Sequence, residues 1–145
     1  MAEFTISGLD ELIAAFAKAS DVPDSVKTKA LVAMAEVALA KEKSVGEAKG
    51  IRDPESNVHI LDSFKITKPK LTDDGGSVDI TFAGTRTRNG RKTRNAEIAF
   101  INEYGANKRG IPARPFISTA LAEAEQKIND AGANVIHDWV EKTIK

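Results

Sequence analysis

Apolar residues recur along this chain with two periods, three to four residues apart near both ends and two apart in the middle. The first spacing builds one face of a helix and the second one face of a strand. Leu9, Leu12, Ile13 and Phe16 share a helical face, so Gly8 to Ala19 is expected to be a first helix, with Asp10 and Glu11 complementing the positive end of its dipole. Val22-Pro23-Asp24 interrupts the pattern. Asp24 or Ser25 then caps a second, longer helix that carries Val26, Ala30, Leu31, Met34, Val37, Ala38 and Lys41 and frays near Gly46 or Gly50. Val32, Ala33, Ala35, Leu39 and Ala40 widen its apolar stripe over most of the circumference. Such a helix needs cover on more than one side, and a neighbouring subunit is one source of it.

The middle of the chain reads differently. After a polar connection from Ile51 to Asn57, Phe64 and Ile66 alternate with Lys65 and Thr67, and Val78, Ile80 and Phe82 alternate with Asp79 and Thr81. Both runs have the period of half-buried strands, and Thr72-Asp-Asp-Gly-Gly76 between them is a turn. Pro69 donates nothing to a ladder, which puts the first strand at a sheet edge or bulges it there. A third strand is expected around Ala96 to Ala99, followed by one helical turn through Phe100, Ile101 and Tyr104 that Gly105 stops. From Phe116 to about Thr143, the positions Ile117, Leu121, Ala124, Ile128, Ala131, Val135 and Trp139 mark a long amphipathic helix, with Gly132 as its weak point. This order predicts an α+β fold: two N-terminal helices, a small antiparallel sheet of about three strands, and a long C-terminal helix packed on the same sheet face. A chain of 145 residues suits one domain spanning residues 1–145.

The most demanding backbone lies just before the final helix, where Glu103-Tyr104-Gly105 and a basic spacer, Asn107-Lys108-Arg109, lead into Pro112-Ala113-Arg114-Pro115-Phe116. Gly105 sits where the chain must reverse, Pro112 and Pro115 fix φ and extend their predecessors, and Phe116 opens the helix. These residues form a hinge that sets the angle of the last helix. Glu103 and Arg114 flank the spacer and are placed to pair across it. The hinge resembles the Glu-aromatic-Gly…Pro-Ala-Arg-Pro-Phe signature of a tail-component family of long-tailed bacteriophages. Upstream, Asp53-Pro54 and Leu61-Asp62-Ser63-Phe64 resemble that family's Pro…Gly-x-Leu-x-x-Ser stretch, with Val58 or His59 standing near the usual Gly. The resemblance implies a virion protein of the head-tail junction, made in the host cytoplasm. It would be a tail-completion or neck component, forming a homo-oligomeric ring on the tail axis and contacting other neck or tail proteins. The family's motif is structural, so the resemblance implies assembly and supplies no active site.

Charge sharpens the picture at one place. The chain is neutral, with 21 basic and 21 acidic residues, yet Met1 to Asp24 carries five acids against Lys18. Gly84 to Arg114 carries eight cations against Glu97 and Glu103. The densest part holds Arg86, Arg88, Arg91, Lys92 and Arg94 without an acid or an aromatic, and is expected to be a mobile basic loop over residues 84–96. Cations in such number suit phosphate neutralisation without base reading, so non-specific contact with packaged DNA is one expectation. Docking on the acidic N-terminal helix of the next subunit is another, and a solvated hairpin extension without a partner is the plain alternative. The alternative function is a standalone nucleic-acid-binding module that uses the same loop.

Catalysis finds no foothold in the pattern. There is no cysteine, and the two histidines, His59 and His137, lack a partner at a useful spacing, since His137 and Asp138 are adjacent on a helix and do not face each other. Asp73-Asp74 before Gly75-Gly76 lacks the alternating oxygen ligands of a calcium loop. No catalytic residue, metal site or cofactor is therefore expected. The first residues lack the basic and apolar regions of a secretory signal. The apolar run Ala30 to Ala40 falls short of the roughly 20 residues a bilayer requires, so no membrane contact is expected.

Overall fold

An eight-residue strand, β4 (Gly75–Phe82), organises the sheet in this computed structural model, which describes residues 4–6, 8, 9, 13, 22–51, 60–73, 75–88 and 90–144. On one side β4 pairs antiparallel with β1 (Phe4–Ile6), in the register Phe4↔Ile80 to Ile6↔Val78. On the other it pairs with β2 (Phe64–Ile66), where Phe64 meets Phe82, and then with β3 (Lys70–Thr72), where Lys70 meets Ser77. Thr67 to Pro69 separates β2 from β3, so the proline splits an edge strand as its missing N–H requires. Alternation along β4 sends Val78, Ile80 and Phe82 into the core. Asp79 points to the opposite face, where it accepts a hydrogen bond from the Thr5 hydroxyl and lies 3.8 Å from the Lys70 ammonium.

Three helices accompany this sheet among the described residues: α1 (Asp24–Ala48), α2 (Asn95–Tyr104) and α3 (Ile117–Ile144). The class is α+β. Of the two expected N-terminal helices only the second, α1, is described; the first, Gly8 to Ala19, lies outside the described residues apart from Gly8, Leu9 and Ile13. Leu9 and Ile13 are fully buried. Neither Asp24 nor Ser25 caps α1: its N-cap is Pro23, which supplies no side-chain bond, and the Pro23 carbonyl accepts from the N–H groups of Val26 and Lys27.

The wide apolar stripe of α1 finds its two covers within the chain. Leu31 lies against the sheet beside Gly76, and the rest of the buried face packs along α3. Lys41 meets Glu123 at 3.4 Å while Gly46, further along α1, abuts Phe116 at the head of α3, so the two helices run antiparallel. One core cluster joins Ile6, Leu31, Met34, Val78, Ile80 and Ile128 between sheet, α1 and α3. A second surrounds Phe116 with Val45, Ile60, Leu61, Phe82 and Ala99. Gly46 does not fray the helix: a Cβ there would lie 2.6 Å from a Leu61 methyl, and the missing side chain is what lets Leu61 and Phe116 close on α1. The turn between β3 and β4 is held from α1, because the Lys27 ammonium donates to the carbonyls of Thr72 (2.9 Å) and Asp73 (3.1 Å).

Two expectations for the middle segment fail. Ala96 to Ala99 is no strand; the whole of Asn95–Tyr104 is helical, burying Asn95, Ala96, Ala99 and Glu103 at intervals of one, three and four. That is the helical period, which a four-residue apolar run cannot display by itself. The basic segment, expected as a loop, is a two-stranded hairpin of β5 (Thr85–Arg88) and β6 (Arg91–Arg94). Thr85, Thr87 and Thr93 supply β-branched positions, and Gly90, at φ 76°, takes the left-handed geometry that a two-residue hairpin loop demands.

Candidate functional site

The hinge residues come together as a rigid corner joining α2 to α3. Gly105 ends α2 with its N–H on the Ile101 carbonyl at 2.7 Å. Its φ of 75° with ψ near 180° is a combination that glycine alone adopts readily. The chain then closes a tight loop, Ala106 and Ile111 exchanging two backbone hydrogen bonds (2.9 and 3.1 Å) around a turn at Asn107–Arg109. Pro112, Ala113 and Pro115 lie exposed along the extended return, and Phe116 is fully buried. Its ring packs edge-on to Phe82, centroids 6.2 Å apart.

Glu103 and Arg114 do not pair. The Glu103 carboxylate is buried and accepts hydrogen bonds from the backbone N–H groups of Ile117 (2.8 Å) and Ser118 (3.0 Å). A helix start leaves such donors unmet, and the acid that meets them here arrives from the preceding helix, fixing α2 to α3. Arg114 serves the other side of the corner. Its guanidinium donates to the Gly50 carbonyl (3.1 Å) and to Asn102 Oδ1 (2.8 Å), while its own N–H donates to the Asn102 carbonyl. Glu103→Ala would strip the acceptor from two donors of α3, and is expected to cost roughly 2–4 kcal/mol. Glu103→Gln keeps a carbonyl there and should lose less; urea unfolding of both variants measures the difference.

Beneath the corner lies an acid that sequence reasoning passed over. Glu42, on α1, is fully buried, and neither carboxyl oxygen has a hydrogen-bond partner. Burial pushes its pKa up to about 8, with the nearby Glu103 charge adding to the shift. The signal was present in the sequence, because Glu42 is four residues from both Ala38 and Gly46 on the buried face of α1.

The hairpin forms the second part of the site. In the backbone register Arg88 is opposite Arg91, Lys92 opposite Thr87, and Arg94 opposite Thr85. Arg91, Lys92 and Arg94 are exposed. The root is locked by Asn95, buried at the start of α2: its Nδ2 donates to the Ala83 carbonyl (2.9 Å), its N–H to the Gly84 carbonyl, and its Oδ1 accepts from the Arg86 guanidinium at 3.3 Å. Arg94 bridges Glu97 at 3.2 Å. Glu97 begins an exposed stripe of α2 that continues through Phe100 and Tyr104, 48% and 59% exposed, whose ring centroids lie 4.7 Å apart. Sequence reasoning picked out Tyr104 but missed that Phe100 stands beside it in solvent.

The remaining candidates do not join this site. His137 faces Glu141 one turn on at 3.0 Å rather than Asp138, and His59 lies outside the described residues, as do Asp53, Pro54 and Val58. Among the described residues no group of three or more His, Cys, Asp or Glu side chains is placed to hold a metal ion, and no helix is long and apolar enough to cross a membrane. The chain matches no protein-family model, and no curated protein or solved structure matches it.

Proposed function

We propose that this chain is a structural protein of the head-tail junction of a long-tailed bacteriophage, a tail-completion or neck component that assembles as a ring on the tail axis. The observation that carries the reading is the corner. Of the residues that resemble the phage family's signature, Glu103 caps α3, Gly105 permits the reversal, Arg114 ties the return to α2 and to Gly50, and Phe116 anchors it. Their work is geometric, which suits a motif that places a long helix for assembly. The basic hairpin, held out from the body on a locked root, supplies the contact surface, either to a neighbour or to DNA in the channel.

Replacing Arg86, Arg88, Arg91, Lys92 and Arg94 together with Ser tests the reading. The exposed cations Arg91, Lys92 and Arg94 add little to stability, while the half-buried Arg86 gives up its bond to Asn95 and Arg94 its bridge to Glu97, so the melting temperature is expected to fall by only a few degrees. In a phage deleted for the gene, the variant is expected to leave filled heads and separate tails without joining them. Complementation at the wild-type titre would remove the hairpin from the function. The second reading, a standalone nucleic-acid-binding module, rests on the same exposed cations. It requires the isolated wild-type protein to bind random duplex DNA with an affinity that collapses as salt rises.

A further inference from the structure

Two of the exposed charged patches on this chain are opposite in sign and lie towards opposite ends of α3; other exposed charges stand on α1 and along β2 and β3. At one end the hairpin cations Arg91, Lys92 and Arg94 run into the aromatic pair Phe100 and Tyr104, and beyond the corner come the exposed Lys108 and Arg109. This strip is cationic at both ends and aromatic in the middle, with the acid Glu97 bridged to Arg94. At the other end lies the distal half of α3, where Asp130, Asp138 and Glu141 are exposed beside the cation Lys142. Positions 130, 133, 137, 140 and 141 fall on one stripe of the helix with Asp138 on its flank, so the half-buried Ala133 and Val140 offer apolar surface beside the acids. The root of the hairpin stands by the head of α3, since Phe82 packs on Phe116. A 28-residue helix is about 40 Å long, which carries its acidic half far from the hairpin of its own chain.

Resting on the assembly reading above, we propose that the hairpin strip of one copy docks on the distal half of α3 of the next copy, head to tail. The two surfaces are opposite in sign, each sets apolar area beside charge, and the length of α3 separates them within one chain. A contact between two different patches of the same chain is heterologous, and it propagates into a closed ring or an open filament according to the rotation per step. The exposed aromatics give this interface its apolar centre, and the charges give it register and encounter rate.

Charge swapping tests this in the full chain. Arg91→Glu with Lys92→Glu, or separately Asp130→Lys with Asp138→Lys, is expected to weaken self-association about tenfold or more in sedimentation at low salt. Both sets combined in one chain restore opposite signs across the contact and should recover it. Because the chain has no cysteine, Lys92→Cys with Asp138→Cys can be joined by a short bismaleimide. The double variant is expected to give a ladder of covalent oligomers, and each single variant nothing beyond dimers. Association that charge reversal leaves untouched, without a ladder, would overturn this contact while leaving the ring reading in place. A wild-type chain that stays monomeric at every concentration and salt would overturn both. Duplex DNA binding that Arg91→Glu with Lys92→Glu abolishes, again without a ladder, would assign the strip to nucleic acid instead.

Discussion

Glu42→Met should make this protein more stable, and increasingly so as pH rises from 5 to 8. The wild-type carboxyl is buried without a partner and keeps its proton up to about pH 8, whereas in the unfolded chain it ionises near its ordinary value of 4.5. A group whose folded pKa is raised contributes its full stability below the unfolded pKa and loses it as pH climbs through the folded one. Between those two values wild-type stability therefore falls by about 1.4 kcal/mol per pH unit from this residue, a loss on the order of 3–5 kcal/mol by pH 8. Methionine has similar bulk, no proton to lose and no orphaned oxygens, so the slope should vanish and the unfolding midpoint in urea should rise. Glu42→Gln should also remove the slope but gain less, because its amide stays unpaired. Parallel pH profiles for the wild type and Glu42→Met would show that Glu42 does not titrate as its burial demands. Removing the Glu103 charge should lower the Glu42 pKa, so the two sites are not expected to be additive.

Substitution of Gly105 has the second large effect, in the opposite direction. A Cβ built there would lie 2.8 Å from both the Ala113 nitrogen and the Ile111 carbonyl oxygen, and 3.1 Å from the Pro112 carbonyl carbon. All three are backbone atoms of the closed loop and its return, which cannot swing aside as a flexible side chain would. The backbone angles add to the cost, since this region is nearly confined to glycine and strain there is worth about 1–3 kcal/mol. Gly105→Ala is expected to lose roughly 3 kcal/mol or more from the two causes together, and Gly105→Val more again because β-branching tolerates the geometry least. Thermal midpoints of the two variants in that order are the expected result. A Gly105→Ala protein that melts with the wild type would show that the corner is not built on this residue.

Legibility in the sequence followed the length of each pattern. Helix α3 repeats its apolar spacing over 28 residues, and the reading of Phe116 to Thr143 lies within a residue of Ile117–Ile144. Strands β2 and β4 were visible by alternation, and Pro69 marked the break between β2 and β3. Strand β1 was missed because three residues carry no period, and its pairing with β4 is a tertiary fact. The hairpin was partly hidden by its charge: Arg and Lys favoured a mobile loop, with a solvated hairpin as the plain alternative, while threonine alternation and an Asn-Gly pair supplied the strand signal underneath. The corner showed the reverse error. Its residues were singled out in the sequence, but Glu103 was matched by charge to Arg114 when its partners are two backbone donors, which no side-chain pattern displays.

The central place of β4 imposes an order on folding. Pairing β3 with β4 closes a short local loop, Lys70 to Ser77, whereas pairing β1 with β4 must bring Phe4 to Ile80. In an open chain the longer closure costs about 2 kcal/mol more in entropy. The N-terminal strand is then expected to dock last, and its amides are expected to exchange through local opening rather than global unfolding, which hydrogen exchange measures. A chain still lacking β1 would expose one whole edge of β4 to strand addition by another chain. In the ring assembly proposed above, where many copies would meet at high local concentration, the lifetime of that open edge would separate ordered assembly from aggregation.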